Sequence, residues 1–289
     1  MIRLPKRKAN TNKGDYGHIL VIAGAPGFTG AAALCSQAAL LCGSGLVTLG
    51  IAKGLNIVLA RKLTEVMTKP LPETADGTLA TGAFVPIMEF SRKTDCVAIG
   101  PGLSRNVSTE ALVKKLLISL ERPVVLDADG INAIEGDLGI LKRAKAFVTI
   151  TPHPGEMSRI TGIRTEEISR NKEKVAKSFA NKYNVVCVLK GHRTIVARPD
   201  GKVFVNTTGN PGMAKGGTGD VLTGMIASFI GQGIMPFEAA TLGVYLHGLA
   251  GDLAANEKGE VSMLASDLLD KIPEAVKALA SRQGAAHSI

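Results

Sequence analysis

An alternation of short apolar runs with longer helical stretches constrains this chain more than any other feature. His18–Ala23, Leu46–Ile51, Cys96–Ile99, Val124–Leu126, Phe147–Ile150 and Val185–Leu189 read as buried strands. Between them, stretches such as Ala31–Cys42, Ser108–Leu120 and Thr165–Tyr183 carry helical patterning. Strands that alternate with helices predict an α/β fold, with a mostly parallel sheet covered on both faces. Thr194–Val205 departs from the pattern: Pro199-Asp200-Gly201 separates two β-rich runs, which predicts a small antiparallel hairpin. Three helices are expected after it, from Gly219 to about Phe229, Pro236 to about Asn256 and Ala265 to about Leu279. No repeat or low-complexity linker divides the 289 residues, so one domain over 1–289 is expected.

Composition narrows the partners. With 33 glycines, 4 % aromatic residues and no tryptophan, the chain suits tight turns and an aliphatic core, not a base-stacking surface. The net charge of +9 favours anionic ligands. Its densest basic run is Lys6-Arg7-Lys8, without the stripe or aromatic interleaving of a nucleic-acid binder. Cys35, Cys42, Cys96 and Cys187 form no Cys-x-x-Cys pair and lie in apolar stretches, so buried free thiols are expected. The N-terminus lacks a signal-peptide core, and charges or glycines interrupt every apolar run before membrane-spanning length. A reducing cytoplasm is the expected setting.

Two phosphate-binding motifs are excluded. Gly24–Gly30 opens a helix after a strand but lacks the G-x-G-x-x-G spacing, and no G-x-x-x-x-G-K-[ST] occurs. The sharper signal is Asn210-Pro-Gly-Met-Ala-Lys-Gly-Gly-Thr-Gly-Asp220, followed by Val221, Leu222, Met225, Ile226 and Phe229 on one helical face. Gly216, Gly217 and Gly219 let the backbone curl so that N–H groups converge at a helix start, forming an anion hole. Asp220 in the first turn can serve as a helix-capping acid or as a base. A carboxylate beside an anion cradle can take a proton from a substrate hydroxyl while the cradle stabilises a transferred phosphoryl group.

Gly-Thr-Gly-Asp before an apolar helix resembles the signature of the ribokinase-like superfamily. Further stretches resemble one branch of it, the ADP-dependent NAD(P)H-hydrate dehydratases. They are Lys13-Gly-Asp-Tyr-Gly17, Ala98-Ile-Gly-Pro-Gly-Leu103, Leu126-Asp-Ala-Asp-Gly130, Thr151-Pro-His-Pro-Gly-Glu156 and Val188-Leu-Lys-Gly-His-Arg-Thr194, with Thr208–Gly224 closing the set. The resemblance implies a ribokinase-like fold without an N-terminal epimerase domain. It implies repair of hydrated NADH or NADPH with ADP (or ATP) as co-substrate and Mg²⁺, in a homo-oligomer.

Carried over residue by residue, the resemblance makes Asp220 the catalytic base. It places Ala31, Gly102, His153 and, less directly, Asn210 against the hydrated cofactor. Lys190, Gly191, His192, Arg193 and Thr194, with Gly217, Thr218 and Gly219, would hold the nucleotide, and Glu156 would touch Mg²⁺ through water. His153 between prolines also fits a plain turn. The chain departs from the branch at Asn12, where many members have His, and Lys215 lies in a variable segment. His247 reads as a packing or capping residue. Two other functions stay open at this point: a vitamin or sugar kinase of the same superfamily, and a non-catalytic nucleotide or nucleic-acid binder.

Overall fold

The computed structural model describes residues 4 and 7–285; Lys6 of the basic run lies outside them. The first half runs β1 (His18–Ile22), α1 (Thr29–Leu41), β2 (Leu46–Ala52), α2 (Asn56–Lys62), β3 (Met67–Leu71) and α3 (Phe84–Ser91). It continues through β4 (Cys96–Ile99), α4 (Val107–Ser119), β5 (Val124–Leu126), the short helices α5 (Asp129–Asn132) and α6 (Ile140–Arg143), and β6 (Val148–Ile150). Next come α7 (Pro154–Thr161), α8 (Thr165–Arg170), α9 (Lys172–Tyr183), β7 (Val186–Leu189), β8 (Ile195–Ala197) and β9 (Val203–Val205). The last helices are α10 (Thr218–Gly231), α11 (Pro236–Lys258) and α12 (Ala265–Ala285).

All strands join one nine-stranded sheet in the order β3-β2-β1-β4-β5-β6-β7-β8-β9. β1 to β7 pair in parallel, whereas β7–β8 and β8–β9 pair antiparallel, the latter with Ile195 opposite Val205 as the hairpin reading required. The strands read as continuous apolar runs because both faces are buried. Ile19 and Val21 of β1 enter one core, while Leu20 and Ile22 enter the other. The first core lies under α1, α10, α11 and α12; the second lies under α3, α4, α7 and α9. All four cysteines are free and buried, and loss of solvent pushes each thiol pKa far up. Among the described residues, no helix is long and apolar enough to cross a membrane.

The small residues of α1 admit α10 to backbone contact. A Cβ on Gly224 would lie 2.0 Å from the Cys35 carbonyl oxygen, so the helices touch where glycine leaves room. Two features differ from expectation. Met67–Leu71 is a parallel edge strand despite Pro70, which an edge tolerates because one side of the strand has no partner. The stretch Thr165–Tyr183 is two helices, broken at Asn171 (φ −124°, ψ 33°). Ile168 and Val175 are seven residues apart and share one apolar stripe, so periodicity alone conceals the break.

Candidate active site

The functional segments collect at the carboxyl ends of the parallel strands. Loops from β1, β4, β5, β6 and β7 carry Gly24–Phe28, Gly100–Ser104, Asp127–Asp129, Thr151–His153 and Lys190–Thr194 respectively. The sheet order reverses direction between β1 and β4, and at such a switch point neighbouring loops diverge and open a crevice. A cleft of about 770 Å³ lies farther along this edge, at the ends of β6 and β7 and the start of α10. Its lining includes all of Lys190–Thr194 together with His153, Asn210, Thr218 and Gly219. Segments distant in sequence, the β7 end and the start of α10, therefore face one cavity.

Ala31 and Gly102 meet elsewhere on this edge. Gly102, at φ 61°, sits so close to the Phe28 backbone and the Ala31 methyl that an added Cβ would lie 2.9 and 3.0 Å from them. These two residues do not line that cleft; they form a second patch with Phe28, which is exposed. Asp129 ties this patch to the β5 loop by accepting the Ser104 N–H at 2.8 Å.

Asp220 is the third residue of α10. The N-cap is Gly217, in left-handed backbone at φ 95°, and no side chain caps the helix. Asp220 is thus not the capping acid. Burial, reinforced by the charge of Asp127, pushes its pKa up to about 7, against the pull of Lys190; Asp129 and Glu156 add to the rise. A carboxylate poised near neutrality can both take and return a proton at little cost, as a general base should.

Around it runs a charged network that the sequence did not expose. Lys190 Nζ donates to Asp127 Oδ1 at 2.7 Å and lies 3.8 Å from Glu156 Oε2. Thr223, one turn along α10, donates to the other Asp127 oxygen at 2.6 Å. Burial opposes the lysine's charge, but the carboxylates outweigh it and hold the Lys190 pKa above its ordinary value. The ammonium lies close to the helix start, 3.3 Å from where a Gly219 Cβ would be. Asp127, Asp129 and Thr223 belong to quoted motifs or to the apolar helix, yet nothing in spacing marks them as one site. Ala128 between the two acids has φ 48° and ψ −118°, a conformation that costs an L residue roughly 1–3 kcal/mol.

His153 proves to be a cap as well as a cleft residue. Its Nδ1 accepts the N–H groups of Gly155 and Glu156 at 3.0 and 3.2 Å, and Glu156 Oε2 accepts the His153 N–H at 2.7 Å. This reciprocal box starts α7 with Pro154 at its first turn. Burial and the nearby Lys190 lower the His153 pKa, so the ring is neutral with its proton on Nε2. Nε2–H is then the remaining ring donor, 3.5 Å from Glu156 Oε1.

The remaining residues named from the sequence make hydrogen bonds within the chain, and Asn210, Lys215 and His247 also line the cleft. Asn210 accepts from Gly212 N–H at 3.0 Å and donates to Asp252 at 3.1 Å, which fixes the entry to the glycine segment. Lys215 ties the same segment to the carbonyls of Val261 and Met263. Asn12 caps the turn Lys13–Tyr16. His247 is half-buried, its pKa pushed down to about 4 chiefly by desolvation, and its Nε2–H donates to the Thr218 carbonyl at 2.8 Å.

No three metal-binding side chains converge among the described residues. Both Asp127 oxygens are engaged, Glu156 Oε2 is committed to a backbone N–H, and Glu156 Oε1 lies 3.5 Å from His153 Nε2. That donor set fits a magnesium ion carried on phosphate oxygens and reaching the protein through water, not an all-protein cage.

Together the sheet, the glycine-led helix and the cleft place the chain in the ribokinase-like class. A Thermotoga maritima ribokinase matches its fold with a TM-score of 0.54 at 14 % identity, covering 91 % of this chain and 99 % of that one. The chain belongs to the NAD(P)H-hydrate dehydratase family, whose model matches residues 19–274. It is 47 % identical over 277 residues to the bifunctional NAD(P)H-hydrate repair enzyme Nnr of Moorella thermoacetica, covering 96 % of this chain and 52 % of that protein. The chain thus spans about half the length of that curated relative. It is 35 % identical to the ADP-dependent (S)-NAD(P)H-hydrate dehydratase of Bacillus subtilis over 95 % of this chain and 94 % of that one. The crystal structure of the Bacillus subtilis ADP/ATP-dependent enzyme co-crystallised with ATP/Mg²⁺ superposes with a TM-score of 0.81 at 34 % identity, covering 96 % and 94 % of the two chains.

Proposed function

We propose that the chain dehydrates hydrated NADH and NADPH, with ADP or ATP as phosphoryl donor. The observation that carries the reading is Asp220: a carboxylate without a capping bond, its pKa near 7, directly after Gly219 at the start of α10. Asp220 takes the proton of the ring hydroxyl as its oxygen attacks the terminal phosphorus, and AMP leaves when ADP is the donor. Hydroxide is a poor leaving group and phosphate a good one. Departure of phosphate, with loss of a proton from the adjacent ring carbon, restores the double bond and gives NAD(P)H.

In this reading Lys190–Thr194, Gly217, Thr218 and Gly219 hold the nucleotide, with Lys190 and the helix start facing the transferred charge. Ala31, Gly102, His153 and Asn210 hold the hydrated cofactor, His153 as a neutral donor. Mg²⁺, near Glu156, would neutralise phosphate charge when bound. The four buried thiols suit the cytoplasm as its setting.

The test is to incubate the protein with hydrated NADH and either ADP or ATP, following the absorbance of reduced nicotinamide. Recovery of absorbance that requires nucleotide supports the reading. A stable phosphorylated product without recovery would make the protein a kinase instead.

A further inference from the structure

The turn Lys190–Thr194 stands between two depressions. On one side is the 770 Å³ cleft, which Gly191 to Thr194 line. On the other is an open basic hollow of about 600 Å³ at the α8–α9 corner, lined by residues that include Arg170, Lys172, Lys174 and Lys177. Lys172, the first residue of α9, reaches the back of the turn. Its Nζ donates to the His192 carbonyl at 2.8 Å and to the Arg193 carbonyl at 3.3 Å. Lys172 lines the hollow and not the cleft.

The turn would not hold this shape cheaply without a donor there. Arg193 has φ 53°, a left-handed conformation that costs an L residue roughly 1–2 kcal/mol. Two successive carbonyl oxygens aimed at one spot also repel each other, and an ammonium between them reverses that repulsion. Peptide planarity supplies the consequence. In a trans peptide the C=O and the following N–H point in opposite directions. With the His192 carbonyl turned to Lys172, the Arg193 N–H points away from it, on a residue that itself lines the cleft. The Thr194 N–H is directed back at the Gly191 carbonyl and closes the turn, whereas among the described residues the Arg193 N–H has no acceptor.

We propose that Lys172 is a positioning residue for nucleotide binding: by holding these two carbonyls, it fixes the turn and aims the Arg193 N–H at an anionic group of the nucleotide. The inference rests on the nucleotide reading of the cleft. Lys172 acts through the turn and touches no ligand. Its burial pushes its pKa down to about 8, as expected of an ammonium that has exchanged water for carbonyl partners.

The experiment compares wild type, Lys172→Met and Lys172→Arg by calorimetric titration with ADP and with ATP, alongside steady-state kinetics and thermal melting. Methionine keeps the stem and removes the donors; arginine keeps the charge and the donors. Lys172→Met should bind both nucleotides about tenfold more weakly and raise the nucleotide KM in proportion. Its kcat should stay within about twofold and its Tm within about 2 °C. Lys172→Arg should recover most of the affinity. Unchanged nucleotide affinity in Lys172→Met overturns the inference, as does a loss that arginine fails to recover and that tracks a fall in Tm. Failure of the wild type to bind either nucleotide overturns the nucleotide reading and the inference together.

Discussion

Lys190 Nζ lies 2.7 Å from Asp127 Oδ1, an ion pair that ties the ends of β5 and β7 across 63 residues of sequence. The pair sits beside the start of α10 and bears on Asp220 from two sides. Asp127 raises the Asp220 pKa and Lys190 lowers it. In Asp127→Asn the raising charge is lost and the lysine is freed, so both changes lower that pKa. The acid limb of the pH–turnover profile should therefore move below its wild-type position near pH 7. Stability should fall by roughly 3 kcal/mol, since removing one partner strands a buried charge. A pH profile that does not move, measured with hydrated NADH, would separate Asp127 from the base.

Asp220→Asn should lower turnover by roughly a hundred- to ten-thousand-fold, the usual worth of a positioned general base. Nucleotide affinity should hold or rise, because the N–H cradle is unchanged and a negative charge near phosphate is gone. Calorimetry with ADP alongside turnover reads the two effects separately. Near-normal turnover would place the base elsewhere.

The same substitution should stabilise the protein in a defined pH window. The folded Asp220 pKa of about 7 lies above the ordinary carboxylate value, so the native state binds the proton more tightly than the unfolded chain. Wild-type stability from this group is greatest below the unfolded pKa and is lost as pH rises towards 7. Asn carries no such penalty. Asp220→Asn should then melt close to wild type near pH 4 and gain about 1–3 kcal/mol by pH 8. Equal Tm differences at both pH values would mean that Asp220 is not held near neutrality.

His153 has two jobs that different substitutions should separate. Asn keeps an N-cap acceptor for Gly155 and Glu156 but lacks the imidazole Nε2–H; Ala lacks both. His153→Ala should lose about 1 kcal/mol of stability, and His153→Asn much less. Both should weaken binding of the hydrated cofactor more than binding of ADP. If His153→Asn binds the hydrated cofactor normally, the residue is a cap and nothing more.

The parallel strands, the hairpin and the glycine-led helix were legible because each is a local pattern: an apolar run, a Pro-Asp-Gly turn, a stripe after glycines. The edge strand Met67–Leu71 was not, since an edge demands little burial and its Lys69 and Pro70 carry no strand signal. The break at Asn171 was hidden by a stripe that runs through it. At the site, Asp220 and Lys190 could be singled out, but Asp127 could not. Its significance lies in burial and in partners 63 and 96 residues away, and only the folded chain brings those together. The plain-turn reading of His153 missed its capping role, although Pro154 and Glu156 follow at the positions a capping box uses.

The contact between Gly224 and Cys35 has a consequence for anyone seeking a hardier variant of this protein. Helix propensity alone would nominate Gly224, mid-helix in α10, for replacement by alanine, with a gain of about 1 kcal/mol. The obstructing atom is a backbone oxygen of α1, which cannot rotate aside as a side chain would. An alanine there would have to wedge α10 off α1 one turn beyond Asp220, shifting the carboxylate relative to Lys190 and to Ala31. The residue that most weakens the helix on paper is the one that sets the depth at which its active end is seated.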